Sequence, residues 1–538
     1  MAIGRVGVRP YGWSASTTST TFDADAQAFI TAATLTDTTQ KNAINDLVLD
    51  LKAAGVWTKM KAIYPMVGGT VDSHKFNLKD PRDLDVAFRL VFNGGITHNS
   101  SGILGNGVDG WVNTFLNMST VFSDPNSVHF STYISSNWVS TVGVQNHITA
   151  NGGSSTNQYR MFSSSVSNEC SYMGASVAQI VSSVSTNTHK GFWCGTRTTN
   201  SIHTQIDSSG VVNENISAIT ATLPNKEIEL LSNRPFNQYS AFGYSFFSIG
   251  DGLSPFEVSI FSMIIEKYQY LLGRNTKPTL SFYFNRNYSN ETNLFIVNGA
   301  ISNVTQISAV DTLVKGLKTA GIWTKMKAVY PMIGGTALAH KFNLVNPVDL
   351  DRLYRLTFMG GWTHNSTGVQ PNGSNAYADT YLAPSTNLSL NSVHLSYYSR
   401  TDSTNIGFDI GSSTSVYSTM RLTANQTTST SIVLSSINSN TVSVKTSNSL
   451  GMLIGIRPNA SYTKLFKNNT IIVNAQKSST SASSVNFFIG ARNATNTPLN
   501  YSDRECAFSS IGDALTDTEV TEYYNLVQAF QTTLGRQV

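Results

Sequence analysis

Three histidines recur at matching places along this chain of 538 residues: His74, His98 and His129, then His340, His364 and His394. Three imidazoles are enough to hold a zinc ion. Their separations are long, however, and each stands at a polar strand or loop position, which favours hydrogen-bonded structural histidines. Asp83 and Asp85 recur as Asp349 and Asp351. Carboxylates at i and i+2 suit calcium, but the dense oxygen-rich loop that calcium requires is missing. Arg89 and Arg355 follow instead, so ion pairs or turn hydrogen bonds are expected. Glu227-Ile228-Glu229 places two carboxylates on one face of a strand, the start of a glycoside-cleaving pair separated by roughly 5 to 9 Å. No third acid follows, and the matching stretch Asn486–Ala491 has no carboxylate. A phosphate-cradling loop, a serine nucleophile elbow and an HExxH pair are all absent. Gly68-Gly69 and Gly334-Gly335 read as turn glycines. The sequence therefore assigns no catalytic residue, no metal and no cofactor.

Binding chemistry is easier to place. A carbohydrate site needs aromatic rings and planar polar side chains on loops. Those are found where two otherwise matching stretches diverge, Ile103–Thr114 against Val369–Thr380. Trp111 stands opposite Tyr377, beside Asn106 and Asn372, and Trp362 replaces Ile96 nearby. These five residues, Asn106, Trp111, Trp362, Asn372 and Tyr377, are the candidate ligand-binding set. The competing reading is a hairpin tip whose aromatic folds back onto its own domain.

The elements that must position these residues come twice. Ala54–Thr70 and Ala320–Thr336 are identical at fourteen of seventeen positions, and the three differences exchange Val and Ile. The copies stay in step through HKFNL, DLD, THNS and SVH, and at their ends through SIGD and LGR. A period this long marks duplicated whole domains. The division is an arm over residues 1–20, a first module over 21–274, a connector over 275–287 and a second module over 288–538.

Each copy opens with a helix, carried by Ile44, Leu47, Val48 and Leu51 before Gly55, and by Val310, Leu313, Val314 and Leu317 before Gly321. Each closes with another. Ser254, Pro255 and Glu257 start one, and Thr516 with Glu519 starts the other. Between them the pattern is strands, such as Val128–Ile134, Ser392–Tyr398 and Thr441–Lys445, interrupted by Asn-Gly turns. That pattern predicts a sandwich or jelly roll whose edge or face the helices cover.

Composition agrees. Only 13% of residues are charged against 40% hydrophobic, with Ser, Thr and Asn filling the gap, which suits strands with one wet face. The net charge is +4 and the basic residues are scattered, which argues against a nucleic-acid partner. Lys59-Met60-Lys61 and its copy Lys325-Met326-Lys327 read as a solvated face. No stretch is long and apolar enough for membrane insertion, and Met1–Trp13 lacks a secretory signal pattern. Cys170, Cys194 and Cys506 are too few for a disulfide framework, so a reducing cytoplasm is the simpler reading, with a Cys170–Cys194 pair left open.

The block WTKMKAxYPMxGGT, followed by HKFNL, DLD and GGxTHNSxG and ending on SIGDxL and an LGR-terminated helix, resembles the laminin-G/concanavalin-like modules of structural and tail proteins of tailed bacteriophages. The resemblance covers nearly all of both copies. It implies a mainly β chain of two tandem jelly-roll sandwiches, each flanked by an N-terminal and a C-terminal helix. It also implies a virion structural protein of a tail fibre, tail tip or capsid-attached fibre, assembled in the host cytoplasm. The partners it implies are other virion proteins, further copies in a homo-oligomer, and a host surface glycan. No catalytic motif carries over, so the protein is not expected to be an enzyme. A carbohydrate-binding adhesin is the alternative, and a glycan-degrading enzyme stands third.

Overall fold

The computed structural model describes residues 22–136, 143–165, 168–174, 180–183, 189–275, 284–415, 418–423, 430–436 and 442–538. The arm over 1–20, most of the 275–287 connector and Thr441 lie outside these residues. The chain divides into two compact units, Met1–Arg286 and Asn287–Val538. Arg286, inside the expected connector, is tied to the first unit by ion pairs with Asp46 at 2.6 Å and Asp50 at 2.8 Å.

Both units are mainly β and jelly-roll-like, each with two large sheets. In the first unit, an eight-stranded sheet runs Val212–Asn215, Ile202–Ile206, Gly191–Thr199, Val128–Ile134, Gly243–Gly250, Gly102–Gly105, Ile96–Asn99, with Met60–Tyr64 also on Gly243–Gly250. A seven-stranded sheet contains, in order from the middle to one edge, Gln145–Asn151, Glu227–Leu230, Trp111–Asn117 and Val91–Asn93. The second unit repeats the first sheet around Val393–Ser399 and Cys506–Gly512. In its other sheet the segment Arg492–Leu499 adds a hairpin, one arm of which pairs in parallel with Gly411–Ser413.

The helices form a third layer. Helix Thr38–Ala53 buries Ile44, Leu47, Val48 and Leu51 on its i, i+3, i+4, i+7 stripe, and Gly55 closes it at φ +76°. Helix Pro255–Leu271 opens on a reciprocal capping box between Ser254 and Glu257, and helix Asp517–Thr533 on one between Thr516 and Glu519. The capping glutamates do a second job. Glu257 takes Lys59 at 2.6 Å and Glu519 takes Lys325 at 2.6 Å, so the two basic stretches are partnered faces.

Two features depart from expectation. Short helices Ala24–Ala32 and Asn290–Asn298, capped by Asp23 and Ser289, precede the opening helices; at nine residues each is too short to show clear periodicity. The central strands of the eight-stranded sheets also have no wet face: Val128–Ile134 and Val393–Ser399 are buried at every position. Val393, Leu395 and Tyr397 face the second sheet while Tyr398 faces the helices. The serines between them are buried too and bond one another: Ser131 to Ser248 at 2.6 Å, Ser396 to Ser510 at 2.8 Å, and Ser510 to the Tyr523 hydroxyl at 2.6 Å. Paired hydroxyls of this kind avoid the cost of burying unsatisfied polar groups.

Candidate functional site

The residues that recur in both copies are engaged in holding the fold. His74 Nδ1 lies 2.9 Å from His98 Nδ1, and His340 Nδ1 lies 2.9 Å from His364 Nδ1. His129 is elsewhere, bonded to the Asp251 carbonyl at 2.6 Å and to Ser248 at 3.2 Å, and His394 repeats this with Asp513 and Ser510. The structure thus brings two of the three histidines together, and among the described residues no group of three or more His, Cys, Asp or Glu is arranged for a metal. Asp83 and Asp85 pair with Arg89 at 3.0 and 2.7 Å; Asp349 and Asp351 pair with Arg355 at 3.3 and 2.7 Å. The three cysteines are buried and none is in a disulfide.

The recurring LGR end explains itself in the same way. Arg536, 1% exposed, donates to the Met332 carbonyl at 2.6 Å and to those of Pro331 and Ala507 at 3.1 Å. Arg274 does the same for Met66 at 2.7 Å. The Pro331, Met332 and Met66 carbonyls belong to the YPM turns, where Met66 and Met332 adopt φ of +49° and +44°, a conformation costly for a non-glycine residue.

Asn106 and Asn372 are loop clasps. Each accepts three backbone N–H groups with Oδ1, from Val108, Asp109 and Gly110 and from Ser374, Asn375 and Ala376. Trp362 donates to the Met359 and Tyr377 carbonyls at 3.0 and 3.2 Å, and the Tyr377 ring packs at a tilt against Phe488 with centroids 4.6 Å apart. Trp111 lies half-buried beneath the Arg234 guanidinium, 3.6 Å from its ring centre.

Arg234 leads from Trp111 into a cleft that the sequence reading did not find. The cleft encloses about 480 Å³ on the outer face of the seven-stranded sheet, a size suited to a small ligand. Its lining includes Asn117, Asn151, Asn225, Asn233, Glu229 and Arg234. Asn117 donates to Asn225 Oδ1 at 2.9 Å. Glu229 is ion-paired with Arg234 and accepts from Ser232 at 2.9 Å, while Glu227 accepts from Asn113 at 2.7 Å. Asn233 is 1% exposed and its Oδ1 has no hydrogen-bond partner. A buried acceptor left unpaired costs about 1–3 kcal/mol.

The second unit is built differently here. Leu230 faces Val112, and Ile489 faces Ala378 in the equivalent register, so Phe488 occupies the place of Glu229. Phe488 is 5% exposed and packs under Tyr377, and the Arg492–Leu499 hairpin stands where the first unit has Ser232–Tyr239. Only pairwise contacts across more than a hundred residues, such as Asn113 with Glu227, assemble the cleft; an isolated asparagine carries no signal of this in the sequence.

No family model and no curated protein matches the chain. Solved structures match parts of it. The NanB sialidase from Streptococcus pneumoniae is 11% identical over 31% of this chain and 27% of its own, with a TM-score of 0.24. Domain 4 of the extracellular GH43 arabinanase AbnA from Geobacillus stearothermophilus, solved with arabinotriose, is 14% identical over 37% of this chain and 98% of its own, with a TM-score of 0.25. Domains LG4-5 of the mouse laminin α1 chain are 8% identical over 73% and 83%, with a TM-score of 0.20. The chain spans about a quarter of the sialidase's length.

Proposed function

We propose that this chain is a non-enzymatic, glycan-binding structural protein of a bacteriophage particle, working as a homo-oligomer beside other virion proteins. The observation that carries the binding part is the cleft of about 480 Å³ on the first unit, which four asparagines, Asn117, Asn151, Asn225 and Asn233, line together with charged side chains. Such a cleft offers a hydroxyl-rich ligand the planar donors and acceptors it needs. The non-enzymatic part is supported by the two glutamates. Both are committed to neighbouring donors, and the second copy has Phe488 and Asn486 in their places. The virion part is supported by the resemblance of the repeated block to phage structural modules.

The test has two arms. Purified particles are labelled with an antibody against the chain, and the isolated chain is screened against oligosaccharides. Labelling at a fibre or tail tip together with glycan binding is the expected result. A chain that never associates with particles loses the virion role, and a measured glycosidase activity abolished by Glu227→Gln or Glu229→Gln overturns the non-enzymatic reading.

A further inference from the structure

We infer that the outer strand of the second unit's eight-stranded sheet, Thr470–Gln476, is a self-pairing edge, where two copies of the chain join antiparallel about a two-fold axis at Asn474. This rests on the homo-oligomer reading above and names the surface and its partner.

The strand ends the sheet. Among the described residues it pairs with Tyr462–Lys467 on one side and with no strand on the other. Lys477, next in the chain, donates its backbone N–H to the Ser461 carbonyl at 2.7 Å. Alternation along an antiparallel pair then turns the N–H and C=O groups of Ala475 and Val473 toward the same neighbour, and those of Gln476 and Asn474 outward. The register shifts at Ile472, toward the other end, and is regular from Val473 to Gln476.

Proteins keep unpaired edges short or charged. The corresponding sheet end of the first unit is both: Val212–Asn215 has four residues and carries Glu214. Thr470–Gln476 has seven, with no charge and no proline, and its sequence TIIVNAQ favours strands. Its apolar side chains are incompletely covered. Ile472, Val473 and Ala475 are only partly buried against the core, and Ile471 is 44% exposed.

Charge selects a second copy and its direction. A charged partner strand gains nothing from an uncharged edge, whereas a copy of the edge meets no like charge within it. Lys477 flanks the strand. Parallel pairing would set the two copies of Lys477 side by side, which is repulsive. Antiparallel pairing centred on Asn474 separates them by about 20 Å along the strands, and each approaches Ile471 of the other copy. One two-fold contact of this kind closes at a dimer. A single strand from each copy makes a small interface, so dissociation near micromolar concentration is expected.

The test is analytical ultracentrifugation of the full chain, with twice the chain mass expected at tens of micromolar. Asn474→Pro removes an outward N–H and no bond to Tyr462–Lys467. It should weaken the dimer at least tenfold with circular dichroism unchanged. Ile471→Lys, which brings a cation to Lys477 of the second copy, should do the same and decides the matter if the proline variant does not fold. Asn474→Cys should form an intermolecular disulfide on mild oxidation, because facing Cα atoms about 5.5 Å apart suit that bond. Asn215→Cys, on the first unit's edge, should not. An oligomer that survives both Asn474→Pro and Ile471→Lys removes this edge as the interface and leaves the homo-oligomer reading standing. A trimer lost with these variants overturns the two-fold pairing. Cross-linking of Asn474→Cys only to a different protein of the particle assigns the edge to that protein and overturns self-pairing. A chain that is monomeric at tens of micromolar sinks the homo-oligomer reading together with this inference.

Discussion

His74 and His98 point their Nδ1 atoms at each other across 2.9 Å, with ring centroids 5.2 Å apart, and His340 and His364 repeat the arrangement at 2.9 and 5.1 Å. That separation leaves room for one proton between each pair. His74 Nε2 and His340 Nε2 are buried without partners, and an N–H there would be an unsatisfied donor. The inner histidine of each pair is therefore the Nδ1–H tautomer, donating to its half-exposed neighbour, whose Nε2–H faces the outside. Nitrogen-15 chemical shifts should show His74 and His340 as Nδ1–H and His98 and His364 as Nε2–H. His98→Ala should lower stability by about 1–3 kcal/mol by stranding a buried donor, read as a shift in urea midpoint.

Acid should destabilise both units. Burial pushes His74 and His340 down to about 3 and His129 and His394 down to about 4. These rings stay neutral in the fold but bind protons near 6.5 once unfolded. Stability is then level above about pH 6.5 and falls as the pH drops toward 4 and below. Scanning calorimetry from pH 8 to pH 4.5 should record a falling Tm, and a flat profile would contradict the neutral buried rings.

Below pH 4.5 the first unit should lose further stability. Burial works to raise the Glu169 carboxyl, but His147 and His189, at 2.9 and 2.5 Å, hold it down at about 2. Its contribution is present above the unfolded value near 4.5 and is lost as the pH falls toward 2. The second unit relies instead on the fully buried pair of Asp409 and Arg504 at 2.8 Å. Limited proteolysis across this range should cut the first unit faster as the pH falls. Asp409→Asn, which leaves Arg504 unbalanced, should cost about 3–5 kcal/mol in the second.

Arg536→Ala should be among the most damaging single changes. It removes donors from three buried carbonyls around a strained turn, and a loss of about 3 kcal/mol or more is expected. Hydrogen exchange at Met332 and Ala507 should rise well before global unfolding.

Capping and surface pairs bound the small end of the scale. Thr516→Ala should cost about 1 kcal/mol. Asp83→Asn should cost under about 1 kcal/mol because its pairs with Lys75 and Arg89 are exposed. EDTA should leave Tm unchanged, since the side chains of Lys75, Arg89 and Arg355 balance the repeated aspartates. A chelator-induced drop would overturn that account.

The sequence by itself determined the duplication, the capped and amphipathic helices and the mainly β interior, because each of these is written in local spacing: Ser254 three residues before Glu257, Ile44 to Leu51 on one stripe, a 17-residue block repeated nearly intact. It also indicated that Asp83, Asp85 and the histidines serve structure, since each lacked the companions that metal chemistry demands. Only the tertiary structure decided which polar residues meet. The serines of Val128–Ile134 and Val393–Ser399 look like a wet face in sequence, yet the helices bury them, because a third layer returns from the far end of each copy to cover the sheet. The cleft depends on the same fact. Asn117, Asn151, Asn225 and Asn233 come from separate strands and turns, and sheet register, which no local pattern encodes across a hundred residues, is what sets them side by side and leaves one acceptor unpaired.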